Sequence, residues 1–232
     1  MKPILFNTEM VRAIISGRKT CTRRLIKGLP LCGPHATVDE DRLFIEDEYG
    51  DFHPAEAYSS IQRGDILYVR ETWKQAAEGD SEQFNRYLYR ADEPIDTSGM
   101  RAENRWHPSL HMPKKAARIF LEVTDVRAER LHDMTDEQAV KEGCEGLPCS
   151  CQITGRGYHG CTDCMNTGWL EPPLLDFMYL WDSTVKKKDI PVYGWNADPW
   201  VWVIDFRKLT DEEANEHLTA IPDKRGAQAG GD

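Results

Sequence analysis

The chain has 232 residues, 40% of them hydrophobic, and a formal net charge of −10. That length is enough to bury one sizeable core, and one domain with insertions fits it as well as two domains do. The acidic total argues against a protein that coats nucleic acid indiscriminately, but it leaves room for a local basic patch. No apolar stretch approaches the roughly 18 residues of a membrane span, and the apolar run at residues 3–6 is too short for a signal peptide. We therefore expect a soluble cytoplasmic protein.

The first predicted elements are a short strand at residues 3–6 and a helix that Asn7 or Thr8 caps and Gly17 ends. The run Gly17–Arg24 follows directly and holds a lysine and three arginines. Residues 1–28 carry seven Lys or Arg against one Glu, a local balance of +6 in an acidic chain. We predict that this basic run is a binding or reacting loop.

Periodicity and turn signals predict the remaining elements. They are a hairpin within residues 42–51, strands at 66–71 and 86–90, an alternating run at 117–127, a helix from Thr135 to about Gly143, a helix opened by Pro172-Pro173, and a final strand at 200–206. Thr135 and Gln138 have the spacing of a capping box.

These elements predict an α+β fold in which the strands close into a small barrel with flanking short helices. We expect a single domain over residues 1–209. Insertions at about 28–63 and 75–105 and a Cys-rich insertion at 144–170 interrupt it, and residues 210–232 have the composition of a disordered tail.

Cysteines indicate a metal site. The chain has seven, an odd number, and five of them lie within residues 144–164. This crowding favours a metal in a reducing compartment over a disulfide framework. Cys149, Cys151, Cys161 and Cys164 offer four thiolates from two close pairs, which suits tetrahedral zinc with a structural role. Cys144 or His159 is an alternative ligand, and unpaired thiols in a flexible insertion are the other interpretation.

Lys19 and Thr22 can form part of a small reacting set. A threonine hydroxyl is a poor nucleophile until a neighbouring base takes its proton, and a lysine serves as that base only when burial or adjacent cations lower its pKa. The arginines of the basic run are such cations, and Glu142 is a carboxylate that can complete the set. Solvated basic side chains at a helix C-terminus, with Glu142 exposed, explain the same pattern without chemistry.

The arginines of the basic run also suit ligand recognition. Arg18, Arg23 and Arg24 carry guanidinium groups, which bind phosphate bidentately, and a neighbouring hydroxyl can position a nucleobase. The basic run therefore fits RNA binding as well as it fits catalysis.

Tryptophans and histidines are a weaker signal. Trp73, Trp106 and Trp195 stand in loop-like contexts and are candidates for the wall of a base-binding pocket. The tryptophans at 181, 200 and 202 are interpreted as core residues. His107 and His111 flank Pro108-Ser109 and are more typical of a hydrogen-bonded scaffold than of a catalyst.

Six segments stand in a specific order along residues 3–206: Pro3–Met10, Gly17–Arg24, Gly64–Trp73, Pro108–Pro113, Ala139–Gly143 and Asn196–Val203. In these segments the chain resembles the ASCH family, whose barrel is similar to the PUA RNA-binding domain. Within that family it resembles the longer type found in phages and prophages.

The resemblance implies that RNA, single-stranded nucleic acid or a modified nucleoside binds in a cleft between the barrel and the helices. One small bacterial member of the family is an amidohydrolase that removes the acetyl group of N4-acetylcytidine. By resemblance, Thr22 attacks the amide carbonyl, Lys19 accepts its proton, and Glu142 donates a proton to the leaving amine. The ligand-binding groups would be Arg18, Arg23, Arg24, Glu71, Trp73 and His111.

Two other functions stay open at this point. Other members of the family bind RNA or resemble nucleases, so a non-catalytic module that binds RNA or a modified base is the main alternative. A zinc-dependent adaptor for protein interactions, with its function in residues 144–170, is the third.

Overall fold

The computed structural model of the protein describes residues 1–27, 36–39, 42–75, 87–93, 105–153, 161–165 and 167–219. The strands in these ranges are β1 (Lys2–Leu5), β2 (Cys21–Leu25), β3 (Ala36–Asp39), β4 (Arg42–Glu46), β5 (Phe52–Pro54), β6 (Ile66–Arg70), β7 (Trp73–Gln75), β8 (Tyr87–Tyr89), β9 (Phe120–Arg130), β10 (Leu147–Pro148), β11 (Trp169–Glu171) and β12 (Trp200–Lys208). The helices are α1 (Thr8–Ile15), α2 (Asp136–Lys141), α3 (Ser150–Ile153), α4 (Pro173–Thr184), α5 (Ile190–Tyr193) and α6 (Asp211–Thr219). Within these ranges, no helix has both the length and the apolar character that crossing a bilayer requires.

Five strands form the main sheet in the order β1-β6-β9-β12-β2. β1 runs parallel to β6, and the other neighbours are antiparallel. In the pairing of β2 with β12, Thr22 lies opposite Ile204 and Arg24 lies opposite Trp202. Smaller sheets join β3-β4-β5, β7-β8 and β10-β11.

The main sheet has an apolar cluster on each face. On one face, Val11 and Ile14 of α1 pack with strand residues such as Leu121. On the other face, Phe177 and Trp181 of α4 pack with Val201 and Val203 of β12 and with Ala139 of α2. Successive side chains of a strand point to opposite faces, so β12 also supplies Ile204 to the first cluster. The sheet is thus buried on both sides.

The expected closed barrel is wrong for the part of the chain that the structure describes. β1 and β2 are the two edges of the main sheet, and no strand pairing joins them within the described ranges. A side-chain contact joins them instead: the Arg24 guanidinium donates to the Leu5 carbonyl at 3.0 Å and lies 5.2 Å from the centroid of the Phe6 ring. A side chain therefore bridges the two edges where a closed barrel would have backbone pairing. We call this gap between β1 and β2 the seam.

The predicted helix starts are confirmed. The Asn7 side chain accepts a hydrogen bond from the Met10 amide at the start of α1, as an N-cap does. Thr135 and Gln138 form the reciprocal capping box of α2. The hairpin at 42–51, the strand at 66–71 and the final strand at 200–206 correspond to β4-β5, β6 and β12.

Two predictions of irregular structure are corrected. The second half of the basic run is strand β2 rather than loop, because residues 21–25 pair with β12. The predicted tail forms helix α6 over Asp211–Thr219, where Thr210 and Glu213 cap each other and Ala214 packs with Phe120. Residues 220–232 and most of the predicted insertion at 75–105 lie outside the described residues.

Candidate functional site

The alternation of side chains along β2 divides the basic run between the two faces of the sheet. Arg23 lies on the face of α2, where it contacts Glu142 and Gln138. Thr22 and Arg24 lie on the opposite face, beside Ile204 and Trp202 of β12. A single strand therefore supplies one cation to each side.

A buried ion pair joins Lys19 to Glu142. The Lys19 ammonium donates to the Glu142 carboxylate at 2.5 Å and to the Glu142 backbone carbonyl at 2.8 Å. Both side chains are at most 2% exposed. Backbone hydrogen bonds hold the two residues in place. The Lys19 amide donates to the Ala13 carbonyl, and the Thr20 amide donates to the Lys141 carbonyl, next to Glu142. The interpretation of Lys19 and Glu142 as solvated surface charges is therefore wrong.

Arg23 is the second cation on the Glu142 carboxylate. One of its terminal nitrogens lies 3.4 Å from Glu142, while the other donates to Gln138 at 2.9 Å and lies 3.4 Å from Glu129. The Arg23 side chain is 1% exposed. Two cations thus contact this carboxylate, as the burial of a charge requires.

Thr22 is close to Lys19 along the chain, but it takes no part in the hydrogen bonds of the Lys19–Glu142 pair. The residue is buried, and its hydroxyl oxygen has no hydrogen-bond partner among the described residues. A buried hydroxyl without a partner is uncommon and costly. It marks Thr22 as a group with unused hydrogen-bonding capacity.

Buried thiols near the pair are unreactive. Burial raises the pKa of Cys144 to about 12, and the Glu142 carboxylate adds to this effect. Burial also raises the pKa of Cys21 well above its usual range, again with a contribution from Glu142. Both thiols stay protonated at neutral pH, so neither is a nucleophile in this site.

A cavity of about 840 Å³ opens at the seam, and we call it the seam cavity. Its volume lies within the roughly 300–1,000 Å³ that is usual for small-molecule sites. The wall includes Phe6, Arg24, Lys27, Tyr58, Ser109 and Trp202. The space that a closed barrel would remove is therefore a pocket with aromatic, hydroxyl and cationic groups.

The seam cavity and the buried pair meet at Phe6. This ring lines the cavity, and the Lys19 ammonium lies 5.5 Å from its centroid. Glu142 lines a different recess of about 340 Å³, together with Arg18. Lys19 and Thr22 line neither of these spaces. Lys19 and Glu142 of the predicted set are thus in contact, but the three residues of the set do not open into one shared cavity.

The other predicted ligand-binding residues are distributed over the molecule. Arg24 lines the seam cavity, whereas Arg18 lies on the surface and forms an ion pair with Glu145. Glu71 is buried and accepts two hydrogen bonds from Arg118, at 2.9 and 3.1 Å. Burial raises the pKa of Glu71, and the hydrogen bonds from Arg118 oppose that effect. Glu71 therefore belongs to a scaffold ion pair.

None of the three tryptophans predicted as a pocket wall, Trp73, Trp106 and Trp195, lines the seam cavity. Trp73 packs edge-on against Tyr87 in the β7-β8 sheet, and His111 is exposed in a 3-10 turn. Trp106 lies under the Lys74 ammonium, 4.4 Å from it, and Trp195 is buried in the core. The neighbours Thr72, Pro108 and Ser109 line the seam cavity instead.

Trp202, one of the aromatic residues that line the seam cavity, is a residue that the sequence pattern assigned to the core. Trp202 is half-buried, and the register places it opposite Arg24. Strand alternation contains part of this signal, since it separates Trp202 from the core residues Val201 and Val203. Lys27 and Tyr58 also line the seam cavity. No local sequence signal indicates this for Tyr58, because it follows β5 and is far along the chain from β1 and β2.

The four predicted metal ligands come together. The sulfur atoms of Cys149, Cys151, Cys161 and Cys164 all lie within 4.8 Å of one another. Two of the S···S distances are 3.7 and 3.5 Å, close to the roughly 3.8 Å edge of a tetrahedron with Zn–S bonds of about 2.3 Å. Cys144 lies apart in the core, and His159 is outside the described residues.

The local backbone favours thiolate at Cys161, whereas burial and hydrogen bonds with the other cysteines raise the pKa of Cys151 to about 12. The amides of Cys164 and Asp163 donate to the Cys161 sulfur and lower its pKa to about 7. The Cys149 amide donates to the Gly168 carbonyl at 2.9 Å, next to the β10-β11 pairing that closes the base of the cluster. Four such ligands are close enough to bind a metal ion.

Comparison of the chain with models of known protein families, with curated proteins and with solved structures found no match. A functional conclusion for this chain therefore depends on its own residues. These offer a buried Lys–Glu pair, an unpartnered hydroxyl, a cationic and aromatic cavity, and a four-cysteine cluster.

The close packing of Gly143 against α1 gives a testable prediction. This glycine has a φ of 93°, and a Cβ there would lie 2.9 Å from the Ala13 Cβ and 3.4 Å from the Lys19 Cβ. We expect Gly143→Ala to lower the free energy of unfolding by about 2–5 kcal/mol, because left-handed backbone and overpacking each add a cost.

Gly17→Ala is the matched control for this variant. Gly17 also has a positive φ, of 77°, but nothing lies within 4 Å of its Cβ position. It should lose only the backbone cost of about 1–2 kcal/mol. Urea denaturation measures both variants, and equal losses would contradict the close packing of Gly143 against Ala13 and Lys19.

Proposed function

We propose that the chain is an ASCH-like protein that binds a nucleobase or nucleoside in the seam cavity and hydrolyses an N4-acyl cytosine derivative. The observations that carry the proposal are the burial of the Lys19–Glu142 pair and, three residues after Lys19, a buried Thr22 hydroxyl with no hydrogen-bond partner among the described residues. Ordinary scaffolding explains a buried ion pair, but it leaves the cost of the unsatisfied hydroxyl unexplained.

The chemistry of the seam cavity supports the binding step. Trp202 offers an aromatic face to a base, and such stacking contributes roughly 1–3 kcal/mol in single-stranded nucleic acid complexes. Arg24, Ser59 and Ser109 line the same cavity, and their guanidinium and hydroxyl groups are of the kind that donates to the carbonyl groups of a base.

The Lys19–Glu142 contact supports the chemical step. Transfer of one proton across this 2.5 Å contact turns the ion pair into a neutral amine and a neutral carboxylic acid. The amine then accepts the proton of Thr22 while the Thr22 oxygen attacks the amide carbon. The carboxylic acid of Glu142 protonates the leaving amine as the C–N bond breaks, and water then hydrolyses the acyl ester on Thr22.

Access sets one condition on this reaction. Lys19 and Thr22 do not line the seam cavity, so a side chain must move before the substrate reaches them. Phe6 contacts both the cavity and the Lys19 ammonium, and its displacement by the substrate would connect the two.

A non-catalytic module that binds RNA or a modified base is the second candidate function. The closed state of the site favours it, because the Lys19 ammonium is fully engaged with Glu142 and the pair is shielded from solvent. Binding in the seam cavity would then be the whole activity.

A turnover assay separates these functions. We expect the protein to release cytidine from N4-acetylcytidine, and we expect Thr22→Val to reduce the rate at least about 100-fold, since both the nucleophile and its proton are lost. Thr20→Val is the matched control, because Thr20 is exposed in the same run and should keep full activity.

Each other result of this assay has a clear meaning. Unchanged turnover in Thr22→Val would contradict the assigned chemistry. Binding of the nucleoside that Arg24→Ala weakens, with no cytidine formed, would support the binding module. An absence of both binding and turnover in the unmodified protein would contradict the proposal as a whole.

The four-cysteine cluster supports a second, structural proposal: Cys149, Cys151, Cys161 and Cys164 bind one zinc ion. Thiolates are the ligands that zinc prefers in closed structural sites, and four of them leave no open position for chemistry. The metal would fix the segment that connects α2, and thus Glu142, to α4.

Metal analysis tests this proposal. Protein purified without added zinc should contain about one zinc per chain, and Cys149→Ser and Cys164→Ser should fall well below that content. Cys144→Ser is the matched control, because this cysteine is buried outside the cluster, and it should keep the metal. Zinc-free unmodified protein, or a Cys149→Ser variant with its full zinc content, would contradict the four-thiolate site.

A further inference from the structure

The charges around the seam cavity are unlike those of the rest of the chain. The chain carries 39 Asp and Glu against 29 Lys and Arg. The seam cavity has Arg24 and Lys27 in its wall, and no Asp or Glu lines it in the part of the chain that the structure describes. The charged side chains of this wall are therefore basic, although the chain as a whole is acidic. A wall of this charge favours an anionic ligand.

A second space continues this pattern. A recess of about 350 Å³ shares Arg24, Leu25, Lys27 and Thr184 with the seam cavity and adds Arg23, Trp181 and Val185. No acidic residue lines this recess either, among the described residues. We call it the basic recess. The two spaces together form a continuous cationic region that extends from β2 to the end of α4.

The space next to Glu142 has the opposite composition. Its wall holds Glu9, Glu142, Glu145 and Asp176, with Arg18 as a cation. The separation of charges is therefore local. One side of the site is acidic like the whole chain, and the seam side is basic.

Arg24 is a partly buried cation of this region, and its hydrogen bonds go to backbone carbonyls. It is half-buried, and burial lowers its pKa, although a guanidinium stays charged at neutral pH. Its hydrogen bonds go to the backbone carbonyls of Arg23, at 3.1 Å, and Leu5, at 3.0 Å. Across the described ranges it forms no ion pair. The Glu142 carboxylate opposes the effect of burial on the pKa of Arg24, but it forms no hydrogen bond with this guanidinium. A desolvated cation that donates only to backbone carbonyls among the described residues is a position where an anion gains a charge-assisted contact.

Exposed lysines extend the cationic region beyond the cavity mouth. Lys186, Lys187 and Lys188 directly follow Thr184 and Val185, which line the basic recess. All three are exposed, and none forms an ion pair with another described residue. A run of exposed lysines is usually only solvated. This run, however, directly follows residues that line the basic recess.

We infer that the ligand of the seam cavity carries phosphate: it is a nucleotide of a single-stranded nucleic acid, with its base in the cavity and its backbone phosphates on Lys27 and Lys186–Lys188. This inference rests on the proposed function, because it takes the base from there. A free nucleoside has no anionic group to match this region, whereas successive phosphates of a strand match cations that lead away from a cavity.

Three probes test the inference: cytidine, cytidine 5′-monophosphate, and a pentanucleotide of cytidine. We expect the monophosphate and the pentanucleotide to bind at least about tenfold more tightly than cytidine at low salt. The triple variant Lys186→Ala, Lys187→Ala, Lys188→Ala should weaken pentanucleotide binding and leave cytidine binding unchanged. Its plot of log K against log salt should be shallower by about 2, since each phosphate contact of a single strand contributes about 0.7.

The matched control removes the same charge elsewhere. Lys114, Lys115 and Lys208 are exposed and line neither the seam cavity nor the basic recess. Their triple alanine variant should bind the pentanucleotide as the unmodified protein does.

The outcomes separate this inference from the proposed function. Cytidine that binds as tightly as the pentanucleotide would overturn the inference and leave the nucleoside site standing. Equal weakening by the two triple variants would also overturn it, since overall charge would then explain the binding. An absence of binding by all three probes would contradict the proposed function together with the inference.

Discussion

The salt bridge between Lys19 and Glu142 joins two parts of the chain that are 123 residues apart in sequence. It connects the turn after α1 to the end of α2, and the backbone contacts of Lys19, Thr20 and Gly143 are built around it. Removal of one member of such a pair leaves an uncompensated buried charge, at a cost of about 3–5 kcal/mol. The contact thus joins the turn before β2 to the end of α2, while pairing with β12 positions β2 itself.

The open edge of the main sheet is the second constraint on the site. A closed barrel would pair β1 with β2 and fill the space that forms the seam cavity. Because Arg24 and Phe6 lie between these strands, the edges stay apart and the cavity has cationic and aromatic walls. Phe6 also lies next to the buried pair, since the Lys19 ammonium is 5.5 Å from the centroid of its ring. Pair, seam and cavity are therefore one connected arrangement.

Local sequence signals predicted the elements and the metal cluster well. Caps such as Asn7 and Thr135 depend on neighbours within a few residues, and the four cysteines lie in one short segment, so their geometry is largely local. Helix α6 carried the same kind of signal in Thr210 and Glu213, but the composition of the tail concealed it. The strand β2 was read as a loop because two arginines in a row resemble a solvated surface, and only its pairing with β12 buries Arg23.

The cavity needed information that a single sequence does not contain. Whether β1 and β2 pair or stay apart depends on packing across the whole sheet, and so does the position of Trp202 in the wall of a cavity. The direction of Glu142 was open for the same reason, because a carboxylate at a helix end is usually exposed. Its burial follows from two distant cations, Lys19 and Arg23.

A double-mutant cycle on Lys19→Met and Glu142→Gln tests the central contact most directly, with the free energy of unfolding measured by urea denaturation. The account predicts that each single variant loses about 3–5 kcal/mol. It also predicts that the double variant loses at least about 1–3 kcal/mol less than the sum of the two, because the partners are in contact. Single losses below about 1 kcal/mol that simply add would contradict a buried ion pair at the centre of this fold.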